Sequence, residues 1–178
     1  MKRRSELRDL SDDHHTGLVL ALRCKRIAQG TSGFSVADTW RQVQEAFSQH
    51  IEPHFGIEER YLLPALEALG EASMASRVRD GHAALREASA GGPPTDRLLA
   101  EFGELLERHI RFEEREVFDQ TQDRLPRGVL DAIAEACETD PSPGVSHVAA
   151  FPLVAPGASV LPFVLELTSV VPDPSSAG

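Results

Sequence analysis

Two pairs of residues in this chain place a histidine four positions before a glutamate, and a second glutamate follows each pair. The pairs are His54–Glu58 and His109–Glu113. In a helix, residues four apart lie on the same face with about 5–6 Å between their Cβ atoms. Each pair can therefore present an imidazole nitrogen and a carboxylate oxygen side by side. Mixed donors of this kind, without thiolates, suit iron, manganese or zinc.

Other histidines begin two further apolar segments. His14 and His15 are adjacent in the first segment, and His82 lies in the third. Imidazoles and carboxylates that are buried without partners destabilise a protein, and a bound metal removes this penalty. Several inward-facing helices can surround such a metal. The two glutamates, Glu58 and Glu113, could each bridge two ions, so a pair of irons is the preferred interpretation, with zinc or manganese as alternatives.

Turn-forming and capping residues divide the first 138 residues into helices. Ser11 is the expected N-cap of the first helix, and Gly30 is expected to end it. Pro53 and Pro64 fall inside the second helix, where each removes a backbone donor and predicts a kink or a local irregularity. The later helices are expected to begin near Ser35, Glu71, Thr95 and Pro126.

These elements predict an all-α fold, an up-down-up-down four-helix bundle with a short fifth helix, over residues 10–138. Residues 139–178 are rich in proline and carry no Lys or Arg. We expect this Pro-rich tail to have little fixed structure. The alternative is that its apolar stretch, 160–171, docks on the bundle in an extended form.

Charge and composition narrow the possible partners and the compartment. The formal net charge of −10 argues against a nucleic-acid partner or an anionic membrane surface. No apolar run reaches the length of a spanning helix, and acidic residues stand where a secretory signal needs an apolar core. Cys24 and Cys137 form no Cys-x-x-Cys unit. We interpret them as reduced thiols of a cytoplasmic protein.

Four motifs in order resemble the hemerythrin-like (HHE cation-binding) domain family. They are Asp-Asp-His-His at 12–15, His-Phe-Gly-Ile-Glu-Glu at 54–59, Gly-His at 81–82 and His-Ile-Arg-Phe-Glu-Glu at 109–114. The resemblance covers about 10–138 and implies a di-iron centre bridged by Glu58 and Glu113. The ligands that it implies are His15, His54, Glu58, His82, His109 and Glu113.

Three positions depart from the family pattern or leave a choice. Arg86 stands four residues after His82, where hemerythrin has another histidine, so one iron could keep an open position or the site could hold one metal. Both Glu113 and Glu114 are available after His109. His14 and His15 point about 100° apart on a helix, so only one of them faces inward. We prefer His15 and keep His14, His50 and Glu114 as further candidates.

The resemblance and the ligand set favour a non-haem iron protein that binds or senses O₂ or a related small oxidant such as NO or peroxide. Its partner would be that diatomic or peroxide ligand. Three alternatives stay open: a di-iron enzyme that turns over peroxide or NO, an iron-handling protein, and a metal-free helical interaction module. Residue spacing does not separate binding from turnover, because both use the same ligands.

Overall fold

The computed structural model describes residues 3–30 and 33–139, and all the regular structure within these ranges is helical. This confirms the all-α prediction, whereas the up-down-up-down order stays a prediction. The Pro-rich segment from residue 140 lies outside the described residues. The helices are α1 (Arg8–Ala28), α2 (36–68), α3 (Ala72–Ser89), α4 (96–121) and α5 (Arg127–Thr139).

Most helix boundaries fall where capping and turn residues predicted them. The Ser35 side chain accepts a hydrogen bond from the Asp38 N–H at the start of α2, and Thr95 caps α4 in the same way. Gly30 and Gly70, with φ of 68° and 85°, follow the ends of α1 and α2. The left-handed conformation favours glycine, so both residues stop a helix efficiently.

The predicted start of the first helix is wrong. A 3₁₀ turn, Ser5–Leu7, precedes α1, which begins at Arg8 instead of near Ser11. Leu7 and Leu10 are both fully buried, so packing extends the ordered chain beyond the expected cap. The Ser11 hydroxyl, inside the helix, donates a hydrogen bond to Glu114 instead. At the other end, α5 continues to Thr139, one residue beyond the predicted domain limit.

Three π-helical turns interrupt α2 and α4. Two of them, Phe47–Ile51 and Glu58–Leu62, lie in α2 just before the segments that contain Pro53 and Pro64, so the predicted irregularities are present. The third turn, Glu113–Phe118, has no proline to explain it. Two of the three begin at Glu58 and Glu113, and such turns are frequent at functional sites.

The core has two apolar parts with a polar layer between them. One part includes Leu10, Val78 and Val117, and the other includes Leu20, Leu85 and Leu106. Along α1, α3 and α4, the buried histidines and Glu113 lie between a residue of one part and a residue of the other. Helix packing thus brings the polar residues of separate helices to one level of the bundle.

Close approach of α1 and α4 depends on two glycines. A Cβ at Gly17 would lie 2.6 Å from Cδ1 of Ile110, and one at Gly103 would lie 2.7 Å from the Ala21 carbonyl oxygen. Because the second neighbour is backbone, it cannot move aside as a flexible side chain could. Among the described residues, no helix is both long enough and apolar enough to cross a membrane.

Candidate metal centre

Six buried side chains from four helices meet in the polar layer. The Nε2 atoms of His14 and His54 lie 3.0 Å apart, and the rings of His82 and His109 have centroids 4.9 Å apart. Two sets of potential ligand atoms result, each within 4.8 Å of one another and both including Glu58. The six residues are His14, His54, Glu58, His82, His109 and Glu113.

Glu58 directs its two oxygens to different histidines. Its Oε1 is 3.4 Å from Nε2 of His54 and 3.9 Å from that of His14, whereas its Oε2 is 3.2 Å from Nε2 of His82. One carboxylate therefore faces both sides of the polar layer. This arrangement is suited to a carboxylate that bridges two cations.

Glu113 repeats the arrangement from α4. Its Oε2 is 3.3 Å from Nε2 of His14, and its Oε1 is 3.1 Å from Nε2 of His109 and 3.6 Å from that of His82. Together, the two glutamates offer one oxygen to the His14–His54 pair and one to the His82–His109 pair. The donor set thus divides into two groups, each of two nitrogens and two oxygens.

Unsatisfied polar atoms show that protein groups alone do not complete this layer. Oε1 of Glu58, both carboxylate oxygens of Glu113 and Nε2 of His109 are buried and make no hydrogen bond within the described residues. Leaving such atoms unpaired costs roughly 1–3 kcal/mol each, and more for a charged group. Cations coordinated by these same atoms would remove the cost, so the residues fit a metal centre.

Three of the four imidazoles are oriented by carboxylates outside the cluster. Nδ1 of His14 lies 2.8 Å from Glu114, that of His82 lies 2.8 Å from Glu59, and that of His54 lies 3.1 Å from Asp13. Each contact fixes the ring so that Nε2 points into the cluster. Metal-bound histidines characteristically have such partners, which also make the ligand nitrogen more basic.

Arginines hold two of these outer carboxylates. Arg86 donates from Nη1 to Glu59 at 2.8 Å and also binds Glu52, and Arg3 donates to Glu114 at 2.6 Å. Both arginines reach these carboxylates from another part of the chain. Arg86, at the position of a histidine in hemerythrin, thus supports a ligand from outside the cluster.

The pKa values of the cluster reflect a balance between burial and ion pairing. Burial lowers the pKa of His14 and His82, but the nearby carboxylates, first among them Glu113, outweigh it and raise each to about 9. Burial and Glu113 raise the pKa of Glu58, yet His54 and His82 bring it to about 2. A metal that binds here must therefore displace protons from imidazoles that hold them firmly.

Phe55 and Gly81 shape the side of the cluster nearest α3. The Phe55 ring stacks on His82 with centroids 3.8 Å apart and meets His109 edge-on at 5.5 Å. A Cβ at Gly81 would lie 2.9 Å from Cε1 of His109 and would overlap its Nδ1. Glycine is therefore required beside His82 for His109 to occupy its place.

The structure corrects the choice between the two adjacent histidines. His14 is buried in the cluster, whereas His15 is exposed, so the inward position expected for His15 belongs to His14. His50 is half-buried and lies outside both sets of ligand atoms. Glu114 contacts His14 at Nδ1, not at the nitrogen that faces the cluster. Glu113, four residues after His109, supplies the α4 carboxylate of the cluster.

A mostly apolar cavity of about 50 Å³ reaches the cluster between α1, α2 and α4. It ends at His54, His109 and Glu113 and is bounded further along by Leu20, Ile51 and Leu106. This volume exceeds the roughly 10–15 Å³ that one water needs. A ligand of a few atoms can therefore be enclosed next to the potential metal ligands.

Comparison with protein families matches residues 6–121 to the hemerythrin HHE cation-binding domain. This match spans α1 to α4 and includes all six residues of the cluster. The chain therefore belongs to the hemerythrin HHE cation-binding domain family. Comparisons with curated proteins and with solved structures gave no match.

Sequence reasoning missed several residues that support the cluster. The repeated Glu-Glu at 58–59 and 113–114 was a usable signal, because the second glutamate of each pair, Glu59 or Glu114, orients a histidine of another helix. No sequence signal identified Arg86 as the partner of Glu59.

Proposed function

We propose that this protein is a non-haem di-iron protein that binds or senses O₂ or a related small oxidant, such as NO or peroxide. The observation that carries this proposal is the division of the cluster into two ligand groups that share both glutamates. His14 and His54 would hold one iron, His82 and His109 the other, and Glu58 and Glu113 would bridge them. Imidazole and carboxylate donors suit iron.

Iron bound in these two groups would supply redox chemistry and a coordination position for a small ligand. The surrounding residues orient the side chains that would hold the iron. Asp13, Glu59 and Glu114 keep the imidazole rings fixed, so that their Nε2 atoms stay directed at the cluster. With only four histidines in the cluster, the donor set is small enough to leave room for an exogenous ligand.

The apolar walls of the cavity next to the cluster favour small ligands at that position. Leu20, Ile51 and Leu106 line its approach to the cluster, and Phe55 covers His82. These apolar walls next to the cluster suit diatomic molecules at the metal ligands better than larger polar compounds. This feature supports binding of an oxidant more than the storage of iron, for which an acidic path would be needed.

We also propose a cytoplasmic location. The pKa of the Cys24 thiol is raised to about 12, because burial outweighs the effect of Arg23. A thiol of this kind is unreactive. Cys24 forms no disulfide, as is usual in reducing compartments.

The decisive experiment is metal analysis and optical spectroscopy of protein purified without a histidine tag. Two irons per chain are expected, together with a spectrum that changes when O₂, NO or peroxide is added. Stoichiometric and reversible changes would support binding or sensing, whereas sustained consumption of peroxide or NO would indicate an enzyme. Colourless, iron-free protein from iron-replete cells would refute the proposal.

A further inference from the structure

Arg23, on α1, is buried without a hydrogen-bond partner. Arg23 is 5% exposed. Its three guanidinium nitrogens, Nε, Nη1 and Nη2, make no hydrogen bond within the described residues. Its guanidinium carbon lies 4.0 Å from the centre of the Phe34 ring. The ring covers one face of the cation but leaves its N–H groups unsatisfied, since these donors point outward in the guanidinium plane.

A buried arginine without a partner is unfavourable. Removing a charge from water is strongly unfavourable, and stacking on one aromatic ring offsets only part of that cost. Burial lowers the pKa of Arg23, which shows the same penalty on its charged form. Because arginine keeps its proton in proteins, the cost cannot be avoided by neutralisation. An arginine in this condition is poised for a partner from outside the described residues.

The Arg23 side chain borders the apolar cavity that leads to the cluster. Nine residues separate it from His14 on the same helix, which corresponds to about 13.5 Å along the axis. The carboxylates at the cluster end, Asp13 and Glu113, are therefore too distant to pair with it. A ligand of a few heavy atoms held at Arg23 would not touch the metal ligands.

We propose that Arg23 forms an anion site at the end of the cavity remote from the cluster, for a small monovalent oxyanion or carboxylate. Two oxygens of a planar anion match the fork of the guanidinium and can accept two parallel hydrogen bonds. The low polarity of the surrounding walls strengthens this ion pair. The cavity size restricts the ligand to a few heavy atoms. The site depends on the charge of Arg23 and not on the presence of iron.

Thermal unfolding in the presence of anions tests the site on the full-length protein as purified. Sodium nitrate represents inorganic oxyanions, and sodium propionate represents carboxylates. Wild-type protein should show a saturable rise in melting temperature with at least one of the two, as expected for a ligand that binds only the folded state. Arg23→Met should raise the apparent dissociation constant at least tenfold. Without added anion, this variant should melt higher than wild type, because the unpaired cation is gone.

Arg60→Met is the matched control. Arg60 also stacks on an aromatic ring, that of Tyr61 at 5.1 Å, but it is exposed. This variant should respond to the anions as wild type does. If Arg23→Met fails to fold, Arg23→Lys keeps the charge without the fork and should weaken the response. Calorimetric titration of wild type with the same salts provides a direct measurement.

The two probes separate the possible sources of the ligand. A response to nitrate alone would assign the site to an inorganic oxyanion, and a response to propionate alone would assign it to a carboxylate. Equal responses of wild type and the Arg23 variants, or no saturable response of wild type, would overturn the proposal. Because melting is measured irrespective of metal content, a failure here is distinct from a failure to find iron.

Discussion

His14 and His54 point their Nε2 atoms at each other across 3.0 Å, although 40 residues separate them in the chain. Each ring is held from behind by a carboxylate, Glu114 for His14 and Asp13 for His54. Two imidazoles fixed in this way converge on one point next to Glu58. The arrangement is that expected of two ligands to one cation, and it leads to a direct test of the inward histidine on α1.

We expect His14→Ala to lower the metal content of the purified protein far more than His15→Ala. His14 is buried among the potential ligands, whereas His15 is exposed on the same helix. Metal analysis of both variants beside wild type gives the comparison, and circular dichroism checks that both fold. Equal loss from the two variants would show that the orientation of α1 differs from that described here.

His54→Ala and His109→Ala should each reduce bound metal much more than His50→Ala. The first two residues contribute Nε2 atoms within 3.4 Å and 3.1 Å of Glu58 and Glu113, whereas His50 only lines the cavity. Metal content per chain is again the measurement. If His50→Ala lost as much metal as the other two, His50 would itself be a ligand.

Gly81→Ala should displace His109 and weaken metal binding while the helices remain. The added methyl group would overlap the His109 ring. Gly56→Ala is the control, because Gly56 is exposed in a helix and a Cβ there meets nothing within 4 Å. This control should gain about 0.5–1 kcal/mol in unfolding free energy. Unchanged metal affinity in Gly81→Ala would mean that His109 is dispensable.

Glu59→Gln should lower metal affinity about 10–100-fold, as is typical when the partner of a metal-binding histidine is changed. Glu59 fixes the ring of His82 through Nδ1 and is held by Arg86. Competition with a chelator gives the affinity. The control, Glu101→Gln, removes an exposed pairing with Arg97 and should leave the affinity as in wild type.

Once its metal has been removed, the protein should become less stable as the pH rises from about 6.5 to about 9. The pKa values of His14 and His82 are raised from 6.5 to about 9. The stabilisation that their protonated forms give to the folded state is therefore complete below pH 6.5 and is lost as the pH passes 9. The pKa values of Glu58 and Glu114 are lowered from 4.5 to about 2, so their contribution is lost only as the pH falls towards 2.

Urea unfolding of chelator-treated protein at pH 6 and pH 9 measures this decline. Protein reloaded with iron should show a smaller decline, because the metal takes the place of the displaced protons and binds more tightly as the pH rises. A metal-depleted protein that becomes more stable between pH 6 and pH 9 would contradict the pKa shifts.

The sequence by itself determined the features that depend on neighbours within one helix. The His54–Glu58 and His109–Glu113 pairs share a helix face because four residues make about one turn. Capping by Ser35 and Thr95 likewise needs only the next turn, so these helix starts were correctly predicted. The motifs that resemble the HHE family are local in the same sense.

Only the tertiary structure decided which groups from different helices meet. A rotation of α1 by about 100° would exchange His14 and His15. Burial of Leu10, one turn before His14, sets the rotation that is observed. The pairing of Arg86 with Glu59 joins α3 to α2. Arg23 lacks a hydrogen-bond partner because no acceptor among the described residues lies within reach of its guanidinium group. These relationships follow from packing between distant segments, for which residue spacing within one helix carries no information.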